Sequence, residues 1–128
     1  MDSFKYEVVT DKPFEEAVAS IIRSLEERKF CVWKLNLKER LHEKGVNFES
    51  SFIFLEVCNP NQAKEILSDH PDAGYFLPCK LAVYEVKGSV VIGMARPEIL
   101  INMLGYEDLK NTAAQMEEIL VRVIDNSV

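Results

Sequence analysis

The segment 51–81 constrains the fold of this chain most, because it joins two strand patterns, a helix start and two of the three cysteines. An apolar run ends at Cys58, Asn59-Pro60 follows, and a second apolar run opens at Pro78-Cys79. Asparagine is a favoured N-cap residue, and proline suits the first helical position. The segment therefore predicts a strand–helix–strand unit with a cysteine at each junction.

The relative direction of these two strands is open at the sequence level. A simple crossover would make them parallel and would place Cys58 and Cys79 roughly 20 Å apart. Alternatively, the extended segment 71–78 can span as much as ~26 Å, more than the ~16 Å that the helix descends. The second strand would then run antiparallel, and both cysteines would lie at one edge of the sheet.

Two further patterns predict how strands face the core. Residues 51–57 are apolar on both faces, which is typical of a central strand covered on both sides. Glu56 interrupts this pattern, so it lies either at the solvent rim or in a site. Residues 30–37 alternate, and their apolar row predicts that Trp33 is buried and that Cys31 is a small core residue.

The remaining elements complete a fold prediction. Apolar residues at helical spacing predict a helix from Phe14 to Leu25 and a final helix that Asp108 caps. Lys87-Gly88 predicts a hairpin turn. Strict strand–helix alternation is missing, so we predict an α+β sandwich with helices packed on one face of a mixed sheet of about five strands. Residues 1–128 are expected to form a single domain.

Composition excludes several classes of function. The chain has 128 residues, is 48% hydrophobic and carries a formal net charge of −6, which argues against nucleic acid as the main partner. No secretory signal is visible, and no apolar run approaches the ~20 residues that span a membrane. Three cysteines, an odd number, suggest a reducing compartment. We therefore expect a cytoplasmic protein without a membrane partner.

Candidate site residues cluster around the two strand–helix junctions. Cys58 precedes a helix N-terminus, where the helix dipole is expected to lower a thiol pKa if the sulfur points at the helix end. Arg96 stands before a proline that opens a short helix and is a candidate for binding a carboxylate or phosphate. No metal-ligand spacing or phosphate loop is visible, and we expect no metal or cofactor. The candidate ligand-binding residues are Cys58, Asn59, Pro60, Pro78, Cys79, Lys80 and Arg96.

The chain resembles the family called domain of unknown function 302. The similarity is carried by the segments 57–60, 76–85, 10–14, 37–41 and 44–46 and by Gly88, and it covers nearly the whole chain. The resemblance implies a compact α+β domain that is commonly a homodimer in bacteria and archaea, and it implies no agreed activity. The family pattern keeps Asn59, Pro60, Leu77 and Pro78 best, whereas many relatives lack cysteine at positions 58 and 79.

Three hypotheses of function follow. The leading one is a homodimeric binding module for a small anionic ligand or a protein partner, with the apolar segment 90–92 and the final helix as candidate dimer surfaces. The alternative is a thiol-dependent redox enzyme or sulfur carrier that uses Cys58 and Cys79. The third is an interaction protein without pocket chemistry. The sequence leaves open whether there is any catalysis.

Overall fold

A computed structural model describes residues 3–128 and contains a five-stranded sheet with the strand order β1-β5-β4-β3-β2. Every neighbouring pair of strands is antiparallel. The strands are β1 (Lys5–Thr10), β2 (Cys31–Asn36), β3 (Phe52–Cys58), β4 (Cys79–Val86) and β5 (Ser89–Ala95). The helices are α1 (Phe14–Glu27), α2 (Leu37–Glu43), α3 (Pro60–Asp69), α4 (Pro97–Asn102) and α5 (Lys110–Asn126), with 3₁₀ turns at Pro71–Tyr75 and Glu107–Leu109.

The predicted α+β fold class is confirmed, and the sheet is antiparallel where a mixed sheet was expected. The difference arises after α3, because the 3₁₀ turn and the residues that follow it return the chain to the end of the sheet where β3 finishes. The predicted hairpin joins β4 to β5. Its two turn residues, Lys87 and Gly88, have φ angles of 51° and 80°, as in a type I′ turn that matches the strand twist.

The core lies between one face of the sheet and the helices α1 and α5. On the three central strands the helix-facing side chains are Ile53, Leu55, Val57, Leu81, Val83, Val90, Ile92 and Met94, all buried. Helix α1 adds Ile21 and Leu25, and α5 adds Leu120 and Val123. Most apolar side chains of the segment 90–92 and of the final helix are thus packed inside the chain. Another surface is therefore the candidate for a dimer contact.

The predicted burial of Trp33 is wrong. Its side chain is 55% exposed and stands opposite Glu56, on the sheet face away from the helices. The helix-facing residues of β2 are Val32, Lys34 and Asn36. Alternation correctly predicted which side chains share a face, but it does not say which face meets the helices, and β2 is an edge strand that the helices cover poorly.

Within residues 3–128, no helix combines the length and apolar character that crossing a membrane requires.

Candidate functional site

The structure brings Cys58 and Cys79 to the same edge of the sheet. Strands β3 and β4 pair antiparallel with Val57 opposite Cys79, so the antiparallel alternative applies. Cys58 is the next residue along β3 and therefore belongs to the opposite face of the sheet. The two cysteines are neighbours in the fold: they are not opposite each other in the register, but both line one small crevice at the strand ends.

Asn59 and Pro60 have the structural roles that the sequence predicts. The Asn59 side chain accepts a hydrogen bond of 3.1 Å from the backbone N–H of Gln62, and Pro60 is the first residue of α3. The N-cap bond satisfies one of the helix's free donors. These residues therefore fix where β3 ends and α3 begins.

Neither thiol has the lowered pKa that a nucleophile at this edge would need. Burial raises the pKa of Cys58, and the neighbouring Cys31 thiol raises it further. Burial raises the pKa of Cys79 to about 12. The lowering of the Cys58 pKa that the sequence made conditional on the sulfur pointing at the helix end is therefore not found, because burial is the largest influence on this thiol.

The space between these cysteines is small. A crevice at the strand ends, lined in part by Cys58, Asn59, Leu77 and Cys79, has a volume of about 10 Å³. That is at most room for one water molecule. A ligand larger than water has no place there without a movement of α3.

A larger cleft of about 380 Å³ adjoins this edge, and we call it the Lys80 cleft. Strand β4 supplies Lys80, β3 supplies Glu56, and the cis Leu77–Pro78 peptide lies between the strand and the 3₁₀ turn. Its other walls include Tyr75, Phe76 and Pro97. The cleft thus contains Pro78, Cys79 and Lys80 of the predicted residues, together with Glu56, for which the sequence left rim and site as alternatives.

Lys80 is the cation of this cleft, and it is held loosely. Its Nζ lies 3.9 Å from Glu56 Oε1 and 5.0 Å from the centre of the Phe54 ring. Both charged side chains are partly exposed, and an ion pair of this kind contributes little to stability. The ammonium is therefore free to change partner at little cost.

Arg96 lies outside the residues that line the Lys80 cleft and forms an internal ion pair. Its Nε and Nη2 atoms donate to Glu117 Oε2 at 3.0 and 2.8 Å, and its Nη1 donates to the Ser3 carbonyl. Glu117 Oε1 also accepts from the backbone N–H of Glu98. These contacts join α4 to α5, so the structure gives Arg96 a structural role.

A large apolar surface on the sheet face away from the helices was not predicted from the sequence. We call it the open face and define it by Val9, Trp33, Leu35, Phe52, Phe54 and Tyr84. Val9 is 60% exposed and Leu35 is 39% exposed. The Phe52 and Tyr84 rings stack at 4.9 Å. The apolar pattern on both faces of β3 was the signal that a second covered face exists.

A second group of polar side chains was also missed. His70 Nε2 lies 2.9 Å from Asp108 Oδ2, and the His70 ring stacks on Tyr106 with 3.8 Å between ring centres. The Tyr106 hydroxyl donates to the carboxylate of Asp72. Asp108 therefore pairs with His70 instead of capping α5, whose N-cap residue is Leu109. The paired residues are 38 positions apart, and no local pattern predicts such a contact.

Neither metal ligation nor a second groove adds to this site. Within residues 3–128, no three Cys, His, Asp or Glu side chains are grouped so that they could hold a metal ion. An open groove of about 640 Å³ lies between α1 and β2, with charged walls of both signs that include Arg23, Glu26 and Lys34. It contains none of the seven predicted residues.

The fold and the site together define an α+β domain with a half-covered antiparallel sheet and a small cleft at the β3–β4 edge. The model of the family "Domain of unknown function DUF302" matches residues 6–127, and the chain belongs to this family. It is similar to the uncharacterised conserved protein DUF302 from Bacillus stearothermophilus, for which a crystal structure exists. The two sequences are 37% identical, and the two structures superpose with a TM-score of 0.91. The match covers 99% of this chain and 100% of the other. Among curated proteins no match was found.

Proposed function

We propose that the chain is a cytoplasmic, homodimeric binding module. Its open face would pack against the open face of a second copy, and the Lys80 cleft would take a small anionic ligand. The observation that carries the proposal is the half-covered sheet: β3 is apolar on both faces, but the helices bury only one of them. Exposed apolar patches of this kind mark interaction sites.

The size of the open face fits a partner of its own kind. Five strands ~4.8 Å apart and about six residues of ~3.3 Å each give a face of roughly 480 Å² in projection. Two such faces bury about 960 Å² in projection, and the relief of the side chains adds to this area. A specific interface needs about 1,000 Å² in total, so a second copy supplies a surface of adequate size.

Charge on the same face favours self-association. On the open face, Lys80 lies beside Glu56, and Lys5 lies in the same cross-strand row on the other side of Ala95, with its Nζ 3.0 Å from Glu7 Oε1. In a two-fold dimer each patch meets its own copy, so a face with both signs can place Lys5 near a carboxylate of the partner and leave Lys80 to the cleft. The net charge of −6 would oppose a contact made through acidic surfaces alone.

The ligand class follows from the donors in the Lys80 cleft. Lys80 is 57% exposed, and its pairing with Glu56 is at the limit of ion-pair distance. A carboxylate or phosphate that enters the cleft can take the place of Glu56 at the ammonium. Tyr75 is 86% exposed and, with Phe76, offers an aromatic wall for an apolar or ring-shaped body. The cleft volume of about 380 Å³ is at the lower end for small-molecule sites.

Light scattering at micromolar concentration tests the dimer. We expect a mass of twice 14.6 kDa for the wild type. Trp33→Glu introduces a charge into the open face and should give the monomer mass, because the carboxylate would be buried without a partner. Ile119→Glu is the matched control, since Ile119 is partly exposed on α5, in the helical layer. A wild-type monomer, or a Trp33→Glu variant that is still dimeric, would contradict the proposed interface.

Thermal unfolding with inorganic phosphate and with benzoate tests the ligand class. Both probes are anions, and benzoate also carries an aromatic ring. We expect at least one to raise the Tm of the wild type and of Lys87→Met, whose lysine lies in the β4–β5 turn. Lys80→Met should abolish the shift. Equal shifts in Lys80→Met and Lys87→Met, or no wild-type shift at saturating concentrations, would count against an anion site at Lys80.

The alternative, a thiol-dependent redox enzyme or sulfur carrier using Cys58 and Cys79, has less support. A nucleophilic or carrier thiol must be ionised and reachable. Burial raises the pKa of both thiols, to about 12 for Cys79, and the crevice between them is too small for a substrate. A protein partner remains the alternative occupant of the open face, and a wild-type monomer in the light-scattering test would favour it.

A further inference from the structure

We propose that Cys31 and Cys58 form a dithiol modification site that closes into a reversible disulfide when it meets a low-molecular-weight disulfide. The two residues stand directly opposite each other in the register of β2 and β3. Directly opposite residues of an antiparallel pair have Cα atoms about 4.5 or 5.5 Å apart and project from the same face. Disulfides span Cα separations of 4.4–6.8 Å, so the backbone already lies in range.

The position of the pair favours the reaction. Cys31 is the first residue of edge strand β2, and Cys58 is the last residue of β3, so the pair lies at the end of the ladder, where local opening costs least. Both side chains are partly exposed, whereas Cys79 is buried. The Cys31 thiol contributes to the raised pKa of Cys58, as expected for two sulfurs that are close together.

Cys31 suits this bond better than Cys79. Cys79 stands opposite Val57 and is buried, whereas Cys31 stands opposite Cys58 and is partly exposed. Cys58 and Cys79 line the same crevice, so a bond between these two is the competing outcome that the test below distinguishes. The structure thus pairs Cys58 with a cysteine that the sequence predicts only as a core residue.

The chemistry is thiol–disulfide exchange with a disulfide such as oxidised glutathione. One protein thiol loses its proton, and the thiolate attacks the small disulfide, whose sulfur–sulfur bond breaks and releases one small thiolate. The second protein thiol loses its proton and displaces the other small thiol, which forms the protein disulfide. The protein loses two electrons and two protons, and the small disulfide gains both to give two thiols.

The new bond would close a loop of about 28 residues, from Cys31 to Cys58, which contains β2, α2 and β3. Chain-entropy arguments predict that such a loop raises the Tm by roughly 10 °C. It would tie edge strand β2 to the sheet, next to Trp33 of the open face.

Exposure of the native protein to oxidised glutathione, followed by intact-mass and tryptic analysis without reduction, tests this inference. We expect a loss of about 2 Da and a linkage between the peptides 30–34 and 45–64. Cys79→Ala is the matched control and should show the same mass loss, the same linkage and the same increase in Tm on oxidation as the wild type. Cys31→Ser and Cys58→Ser should instead keep glutathione on the remaining cysteine, and neither should show the Tm increase.

Several results would overturn the inference. They are a wild-type protein that carries two glutathione adducts, a bond that links residues 58 and 79, a bond between two chains on a non-reducing gel, and thiols that react only after denaturation. Reduction with dithiothreitol should restore the original mass and Tm. A bond that resists reduction would contradict the reversible site.

Discussion

Replacing Glu117 with glutamine should destabilise the protein by about 2–3 kcal/mol. The side chains of Glu117 and Arg96 are only 11% and 22% exposed, and the carboxylate accepts two N–H bonds from Arg96 and one from the Glu98 backbone. Removing one partner of a buried ion pair typically costs 3–5 kcal/mol. The glutamine amide oxygen can still accept from the guanidinium, which places the expected loss at or below the lower end of that range.

Urea denaturation followed by circular dichroism, at one protein concentration for all variants, measures this loss. The matched control is Glu118→Gln, because Glu118 pairs with Arg122 at 2.6 Å on the same helix but both side chains are more than 60% exposed. An exposed pair four residues apart contributes about 0.3–0.5 kcal/mol. A loss for Glu117→Gln no larger than that for Glu118→Gln would refute the structural role of the pair.

The double variant Arg96→Met/Glu117→Gln refines the test. Because the methionine removes the guanidinium whose bonds to residue 117 the glutamine has already weakened, the double variant should lose less stability than the sum of the two single variants. Strict additivity would mean that the two side chains act independently, and the internal role assigned to Arg96 would have to be withdrawn.

Two further predictions concern Gly93 in the sheet and the pair formed by His70 and Asp108. Gly93→Ala should cost about 1–3 kcal/mol, because its Cβ would lie 2.9 Å from Glu7 Cβ, whereas Gly74→Ala meets only ordinary contacts and should be close to neutral in urea denaturation. The hydrogen bond with His70 lowers the pKa of Asp108 in the folded protein. The ionised Asp108 carboxylate therefore stabilises the fold above about pH 4, and this stabilisation is lost as the pH falls through the folded-state pKa of Asp108. The Tm loss between about pH 6 and about pH 3 should therefore be smaller in Asp108→Asn than in the wild type, and equal losses would contradict this reasoning.

Local patterns predicted the elements of the fold well. The helix start at Asn59-Pro60 and the Lys87-Gly88 turn were predicted because cap and turn preferences depend on a few adjacent residues. The apolar pattern of β3 correctly indicated a central strand. The same pattern predicted cover on both faces, and the chain supplies cover for one.

Contacts between segments that are distant along the chain could not be predicted from the sequence. Periodicity placed Trp33 and Cys31 in one row, but it could not say that this row faces away from the helices. The pairing of Arg96 with Glu117 depends on how α4 docks on α5, and this is set by the whole fold. The thiol pKa at Cys58 depends on burial, for which its place before a helix was an insufficient guide.

The most direct test of the central proposal uses Trp33, the one tryptophan of the sequence, as a reporter of the open face. In a single chain its side chain is 55% exposed, and a second copy packed on the open face would cover it. The measurement is acrylamide quenching of tryptophan fluorescence over a dilution series that crosses the dimer-to-monomer transition. The proposal predicts weak quenching and blue-shifted emission at high concentration, both reverting to those of an exposed tryptophan on dilution. Strong quenching that does not change with concentration, in a protein whose mass is that of a dimer, would show that the copies meet elsewhere.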